Sequence, residues 1–336
     1  MKKISFSILI FIIFFEITSV IFTKFELFLF NETPKYSLES NKKDWKTLDD
    51  YGNKWHKKNY KARHTSRCFD VEYSYNNVGA RDYNDYVLGD TKKSVMLIGD
   101  SFAAGYGVEI DSIFAKIIEK KINKKVLNFG VSGSDPNEHI SKYINDGSKF
   151  NFDELIYFFL PINDFLMVPK NEEILKRDKS FSGLNFDILK YNLAITLSQF
   201  TYSYNFIRSA YHLLNIDLKN GYENSSYYYQ DQKNIDYTFK VLENLIRYKD
   251  VKSYIVLIPS IYDINNFQKK NTSYKNLYWY EKIMKLAERN NTTIIDLMDF
   301  IRFEDKLLYF HSCDGHWSEY GNQFSAKSFL ENYIKN

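Results

Sequence analysis

Several residues whose types could together carry out acyl transfer stand after predicted strands of this chain. Ser101 stands in a Gly-Asp-Ser turn immediately after the apolar run 95–98. A serine hydroxyl is a weak nucleophile at neutral pH and needs a base beside it, usually a histidine. His316 lies near the end of the chain, two residues after Asp314, whose carboxylate can orient the imidazole from the same loop. These residues are candidates for nucleophile, base and orienting acid, and the alternative for Ser101 is an ordinary turn residue.

The six histidines of the chain differ in where they lie relative to the predicted strands. Only His311 and His316 lie just after the last predicted strand, at the sheet edge expected for Ser101. Asp314 stands two residues before His316 in a glycine-containing turn, whereas His311 has no such acid beside it. His316 is therefore the predicted base.

Two further strand ends carry hydrogen-bond donors. Gly130 follows the apolar segment 125–129, and Asn163 follows the apolar segment 154–160. Donors that point at the oxygen of a tetrahedral intermediate stabilise the charge that develops there. We expect the Gly130 N–H and the Asn163 amide to serve this purpose beside Ser101, although a turn glycine and a helix cap are the simpler interpretations.

The elements that must position these residues read as strands alternating with helices. This alternation predicts a parallel sheet covered by helices on both faces. The strand candidates are Ser94–Ile98, Lys125–Phe129, Glu154–Leu160, Ser253–Ile258 and Thr293–Leu297. The helix candidates lie near 111–122 with Asp111 as the cap, and near 137–147, 232–249, 275–289 and 318–334.

Two segments do not fit the repeating pattern of strands and helices. Residues 31–90 read as an N-terminal extension packed on the main domain, with a half-exposed strand over 68–75 and a turn over 76–79. Residues 165–231 are too long for one crossover helix and form a helical insertion in the main domain, 91–336. An insertion at the carboxyl edge of the sheet can shape the substrate site or can simply enlarge the fold.

In this order, the four segments around Ser101, Gly130, Asn163 and His316 resemble the sequence blocks of the SGNH (GDSL) hydrolase family. The resemblance covers roughly residues 90–336 and implies a three-layer α/β/α flavodoxin-like sandwich, with five parallel strands in the order 2-1-3-4-5. It implies Ser101 as nucleophile, His316 as base and then acid, and Asp314 as its partner. It also implies an oxyanion hole made by the N–H groups of Ser101 and Gly130 and by the Asn163 amide.

The chain departs from the family pattern at two points. The third block usually reads Gly-x-Asn-Asp, and Pro161 replaces that glycine here. The last block usually reads Asp-x-x-His, which would place Cys313 at the acid position; here the acid is Asp314. The resulting Asp-x-His spacing is similar to that of alginate O-acetyltransferases and related polysaccharide acyltransferases of the superfamily.

The amino terminus predicts export. Lys2 and Lys3 precede an apolar run over 4–22 that is interrupted only by Glu16. About 20 apolar residues are needed to span a bilayer as a helix. Segment 1–30 is therefore predicted to be a signal-anchor with a membrane helix, which leaves the catalytic domain extracytoplasmic, periplasmic or on the cell surface. The alternative is secretion after cleavage of this segment.

Composition excludes some partners. The chain has 336 residues and a formal net charge of +3, too little to argue for nucleic-acid binding. Cys68 and Cys313 are the only cysteines, and their spacing is not that of metal ligands, so no metal or cofactor is predicted. The sequence leaves open whether the two cysteines form a disulfide. The expected partners are a small-molecule or polysaccharide ester and, through the N-terminal helix, the membrane; the oligomeric state is undetermined.

The sequence leaves three functions open. The first is a serine esterase that removes O-acyl groups, with acetyl as the expected group, from a carbohydrate or related ester. The second is an O-acyltransferase that passes the same acyl group to a cell-surface polysaccharide. The third is a catalytically inactive carbohydrate-binding module. The first two differ only in whether water or a sugar hydroxyl captures the acyl-enzyme.

Overall fold

A computed structural model describes most of the main domain and parts of the two additional segments. The described residues are 2–25, 45–66, 68–165, 193, 196–197, 200–208, 226–228, 231–270, 273–311 and 315–334. Asp314 and Cys313 lie outside the described residues, as does most of the predicted insertion 165–231.

The main sheet has five parallel strands, as predicted. They are β5 (Ser94–Ile98), β6 (Lys125–Asn128), β7 (Glu154–Phe159), β8 (Lys252–Leu257) and β9 (Thr292–Asp296). Their spatial order is β6-β5-β7-β8-β9, which is the 2-1-3-4-5 order implied by the resemblance. Strands β5 and β7 are buried along their whole length, because helices cover both faces of the sheet.

Two groups of helices form the outer layers. Helix α3 (Phe114–Ile122) packs against α9 (Glu319–Tyr333). Helix α4 (Pro136–Asn145) packs against α6 (Gln232–Arg247), which also contacts α8 (Tyr278–Arg289). Helices α2 (Ser101–Ala104), α5 (Pro161–Asp164) and α7 (Ile261–Lys270) follow β5, β7 and β8 at the carboxyl edge of the sheet.

The predicted cap of α3 is wrong. Ile113 occupies the cap position, and Ile110–Ser112 form a separate 3₁₀ turn ahead of the helix. The carboxylate of Asp111 instead accepts a hydrogen bond of 3.2 Å from the Lys120 ammonium at the surface. The α3 N–H at Phe114 donates to the side-chain oxygen of Asn322 in α9. A tertiary contact therefore replaces the local cap.

The N-terminal extension forms two antiparallel hairpins. Strand β1 (Lys46–Leu48) pairs with β2 (Lys54–His56), and β3 (Tyr60–Thr65) pairs with β4 (Asp70–Tyr75). The indole of Trp55 in β2 stacks on the Phe129 ring at a centroid distance of 5.5 Å. The extension is thus attached to the loop that follows β6.

A buried ion pair makes a second attachment of the extension. The Lys142 ammonium of α4 lies 2.8 Å from the Asp49 carboxylate, and both side chains are buried. The same ammonium sits 3.8 Å above the Trp55 ring. Because a buried charge without its partner is costly, these contacts hold the extension in one position on α4.

The chain begins with helix α1 (Lys2–Lys24), at the place where the sequence predicts a membrane helix. Within the residues that the structure describes, no helix has the length and apolar character that crossing a membrane requires. The membrane span expected for segment 1–30 stays a prediction. The apolar run carries Glu16, and its carboxylate accepts hydrogen bonds of 2.7 and 3.0 Å from the N–H groups of Tyr202 and Ser203.

The loop after β6 touches the backbone of α2. An added Cβ on Gly130 would lie 2.4 Å from the Ala104 nitrogen and 2.6 Å from the Ala103 carbonyl carbon. The Asn128 amide donates to the Ala103 carbonyl oxygen at 3.0 Å and holds the two segments together. Only glycine permits this approach, because the atoms that would move are backbone atoms.

We expect Gly130→Ala to lower the free energy of unfolding by roughly 1–3 kcal/mol, because overpacking forces the backbone apart. Urea denaturation measures this effect. Gly315→Ala is the matched control, since nothing lies within 4 Å of its added Cβ, and it should change the free energy by less than about 0.5 kcal/mol. Equal stability of the two variants would show that the Gly130 contact is not a tight one.

Candidate active site

Ser101 is the first residue of α2, directly after β5. The Asp100 side chain caps this short helix by accepting a 2.9 Å hydrogen bond from the Phe102 N–H. Gly105 ends the helix in the left-handed conformation. The buried strand and the two caps therefore fix Ser101 at the carboxyl edge of the sheet.

His316 lies within hydrogen-bond distance of Ser101. Its Nε2 is 2.7 Å from the Ser101 Oγ. The imidazole stacks on the Tyr106 ring, with centroids 4.1 Å apart and an interplanar angle of 26°. A single antiparallel bridge between Phe310 and Trp317 positions the histidine backbone. The structure thus brings together two residues that are 215 positions apart in the chain.

The other candidates for the catalytic dyad have different positions. His311 packs against the Phe69 ring, with centroids 5.0 Å apart, and is not among the described residues that line the cavity at Ser101. Asp314, the predicted orienting acid, lies outside the described residues, so its role stays a prediction.

A cavity of about 520 Å³ opens in front of Ser101. Ser101, Asn163 and His316 all line it. This volume falls within the roughly 300–1,000 Å³ of typical small-ligand sites. The nucleophile candidate is therefore accessible to an ester of the size of a substituted sugar.

Asn163 lies where a donor to an oxyanion is expected. Its amide donates to the Ser134 carbonyl oxygen at 3.0 Å and more weakly to Asp164 at 3.4 Å. These bonds hold the amide at the wall of the cavity. Since the amide has two hydrogens, a bound oxyanion would replace the weaker of these two bonds.

The predicted role of the Gly130 N–H is not supported by the structure. This N–H donates to the side-chain oxygen of Asn128 at 2.9 Å, and Gly130 is not among the described residues that line the cavity. Gly133, three residues later, lines the cavity and has the left-handed φ of +79°. The loop contains both glycines, and local sequence provides no signal that chooses between them.

A buried polar chain supports the wall that carries Asn163. The Ser134 hydroxyl is 2.8 Å from the Nε2 of His139, and the Nδ1 of His139 is 3.0 Å from the Tyr157 hydroxyl. Burial lowers the pKa of His139 to about 3, so this ring is neutral at physiological pH. It links α4 to β7 and has a positioning role.

Arg81 of the extension holds the loop after α2. Its buried guanidinium donates to the Ala104 carbonyl oxygen at 3.0 Å and also to the carbonyls of Gly105 and Val108. Tyr106, which stacks on His316, lies within this loop. The sequence predicts only a turn over 76–79 in this part of the extension and gives no signal for this positioning role.

The extension also carries a covalent link. Cys68 forms a disulfide bond, and Cys313 is the only other cysteine of the chain. Cys313, the partner that the sequence offers, lies outside the described residues.

Two carboxyl groups are buried beneath Ser101. Burial raises the pKa of Asp100 to about 6, although the Phe102 N–H and the nearby His316 favour its charged form. Burial and the charge of Asp100 raise the pKa of Asp164 well above its usual range. The Asp164 carboxylate accepts a 2.8 Å hydrogen bond from the Leu160 N–H.

No cluster of metal-ligating side chains occurs among the described residues.

We expect Asp100→Asn to remove a pH-dependent loss of stability. The folded protein keeps the Asp100 proton up to about pH 6, whereas the unfolded chain loses it near pH 4, so stability falls as the pH rises between these values. Asparagine still accepts from the Phe102 N–H but carries no charge. Relative to the wild type, the variant should gain up to about 3 kcal/mol between pH 4 and pH 7.

Urea denaturation at both pH values measures this gain. Asp50→Asn, at an exposed position, is the control and should gain nothing over the same range. A wild-type pH profile that Asp100→Asn leaves unaltered would contradict the raised pKa.

The chain is similar to solved structures at low identity, and no family model and no curated protein matches it. A member of the lipolytic protein G-D-S-L family from Veillonella parvula is 16% identical, with a TM-score of 0.42, over 73% of this chain and 100% of that chain. A lipase/acylhydrolase from Enterococcus faecalis is 12% identical, with a TM-score of 0.40, over 71% and 94%. An acetyl xylan esterase is 14% identical, with a TM-score of 0.39, over 71% and 98%.

Proposed function

We propose that the chain is a serine esterase of the SGNH/GDSL type that removes O-acyl groups, with acetyl as the expected group, from a carbohydrate. The 2.7 Å contact between His316 Nε2 and Ser101 Oγ, at the wall of a 520 Å³ cavity, carries this proposal. A hydroxyl and an imidazole in this contact, open to a ligand-sized space, have the geometry that general-base activation of a nucleophile needs.

Acylation begins when His316 Nε2 takes the proton of the Ser101 hydroxyl and Oγ attacks the acyl carbonyl carbon. The carbonyl oxygen becomes an oxyanion, which the Asn163 amide and the N–H groups of Ser101 and Gly133 stabilise. The intermediate then collapses, the C–O bond to the sugar breaks, and His316 gives its proton to the departing sugar oxygen, which leaves as a hydroxyl. The products are the acyl-enzyme and the free alcohol.

Deacylation repeats these steps with water. His316 takes a proton from water, the hydroxyl attacks the acyl carbon, and the Ser101 Oγ leaves with the proton that His316 carries. In this scheme Asp314 orients His316 and stabilises the imidazolium. The stack on Tyr106 holds the imidazole ring of His316 in one orientation for the proton transfers of both steps.

We also propose that the domain works outside the cytoplasm. The disulfide of Cys68 supports this location, because structural disulfides persist in oxidising compartments and are rare in the cytosol. The basic start and the apolar stretch of segment 1–30 agree with export.

The full chain is expected to release p-nitrophenol from its acetate ester, and Ser101→Ala and His316→Ala should each lower kcat at least about a hundredfold, because both groups form bonds to the reacting atoms or protons. Ser148→Ala is the matched control. Ser148 precedes β7 at the opposite edge of the sheet, so its loss should leave kcat unchanged. Activity that survives both substitutions would refute the proposed dyad.

Asn163→Ala is expected to lower kcat by roughly 10²–10³, the effect of removing one oxyanion donor. Its KM for p-nitrophenyl acetate should change little, since the donor acts mainly on the transition state. The same assay measures both constants, and thermal unfolding checks that loss of the bond to the Ser134 carbonyl has not unfolded the loop. A folded variant with normal kcat would remove Asn163 from the oxyanion hole.

A further inference from the structure

The cavity at Ser101 receives two cationic side chains from outside the parallel sheet and its helices. Lys46 comes from β1 of the extension, and Arg208 comes from the helical segment 202–208 of the insertion. Both are half-buried and line the same space as Ser101 and His316. The two additions to the fold therefore bring positive charge to the mouth of the site.

Arg208 makes no hydrogen bond and no ion pair to the part of the chain that the structure describes. A half-buried guanidinium has five N–H donors, and partial burial without an acceptor is unfavourable. Arg81 differs in this respect, since its two terminal nitrogens donate to backbone carbonyls. Arg208 thus has unused donors that face a ligand-sized cavity.

Carboxyl groups are scarce among the described residues that line the cavity. Asp100 is the one carboxyl group among the described lining residues, and it is buried beneath Ser101 with its oxygen bonded to the Phe102 N–H. Its pKa is raised to about 6, so part of its population is uncharged in mildly acidic conditions. Among the described lining residues, the guanidinium of Arg208 is therefore not matched by a carboxylate at the mouth of the cavity.

We propose that Arg208, assisted by Lys46, binds an anionic group on the saccharide that carries the ester, either a carboxylate or a phosphate. This inference rests on the proposed esterase function and names its substrate class. A guanidinium binds either group through two parallel N–H···O bonds, whereas an ammonium acts as a point charge. The exposed Tyr262 ring at the same cavity offers an apolar face for the sugar ring.

The position of Arg208 depends on α1. The Glu16 carboxylate accepts the N–H groups of Tyr202 and Ser203, at the start of the segment that ends with Arg208. The Phe206 ring contacts two phenylalanine rings of α1, at centroid distances of 5.9 Å each. Glu16 is thus a positioning residue, and Glu16→Gln should weaken the selectivity for anionic substrates without changing turnover of p-nitrophenyl acetate.

The test compares acetate release from O-acetylated methyl galacturonoside, O-acetylated glucose 6-phosphate and the neutral O-acetylated methyl galactoside. The wild type should have a kcat/KM at least about tenfold higher for one of the two anionic substrates than for the neutral one. Arg208→Gln should lower that kcat/KM roughly 10–100-fold, the usual effect of losing a charged hydrogen bond. The values for the neutral sugar and for p-nitrophenyl acetate should stay within about twofold.

Two matched variants test whether the Arg208 guanidinium causes the preference for anionic substrates. Arg247→Gln removes the same charge at an exposed position on α6, where Arg247 pairs with Glu243, and should leave the preference intact. Arg208→Lys should retain more activity on the phosphate than on the carboxylate, because an ammonium binds a phosphate well as a point charge but cannot reproduce the bidentate pair with a carboxylate. If Arg208→Gln does not fold, as thermal unfolding would reveal, Lys46→Gln should produce a smaller loss of the same preference.

Binding separates this inference from the proposed function. Titration of the Ser101→Ala protein with methyl galacturonoside and with glucose 6-phosphate measures anion recognition even if no ester is hydrolysed. Saturable binding that Arg208→Gln weakens and salt reduces supports the anion site. A wild type that treats charged and neutral esters alike, or binding that Arg208→Gln leaves unaltered, overturns it, while normal release of p-nitrophenol keeps the esterase proposal.

Discussion

The contact between the β6 loop and the backbone of α2 is the constraint on which the site depends. Gly130 leaves no room for a side chain against Ala103 and Ala104, and Asn128 bonds to the same helix. Because α2 has only four residues, it has little stability of its own and takes its position from its neighbours. Ser101 therefore points where the packing of the β6 loop and the turn after β5 direct it.

The same short helix is held from its other end by the N-terminal extension. Arg81 donates hydrogen bonds to carbonyl groups at the end of α2 and in the loop after it, and this loop carries the Tyr106 ring on which His316 stacks. The extension is in turn anchored by the buried pair of Lys142 and Asp49 and by the stack of Trp55 on Phe129. Loss of the extension would consequently affect the geometry of the dyad, although the sheet itself would remain complete.

Charge is distributed unequally around the site. Beneath the serine, burial raises the pKa of both Asp100 and Asp164, and the charge of Asp100 adds to the shift of Asp164. At the mouth of the cavity, Lys46 and Arg208 come from two segments that the parallel fold does not require. The common framework thus supplies the reacting groups, and the added segments supply the charge that we propose selects the substrate.

The sequence alone was sufficient for the sheet, since short apolar runs between amphipathic helices specify buried parallel strands through local periodicity. Strand β5 matches its predicted bounds, and the strand order follows the resemblance. Ser101, Asn163 and His316 were also identifiable, because each follows a strand whose carboxyl end must reach the same edge.

Only the tertiary structure decided which glycine faces the cavity, which groups position His316, and which cations reach the site. Gly130 and Gly133 look alike in sequence, and the difference arises from the approach of α2 and the bond to Asn128. Arg208 lies more than 100 residues from Ser101 along the chain and shares no motif with it. Contacts of this kind depend on how separate segments pack, and no local pattern of residues encodes them.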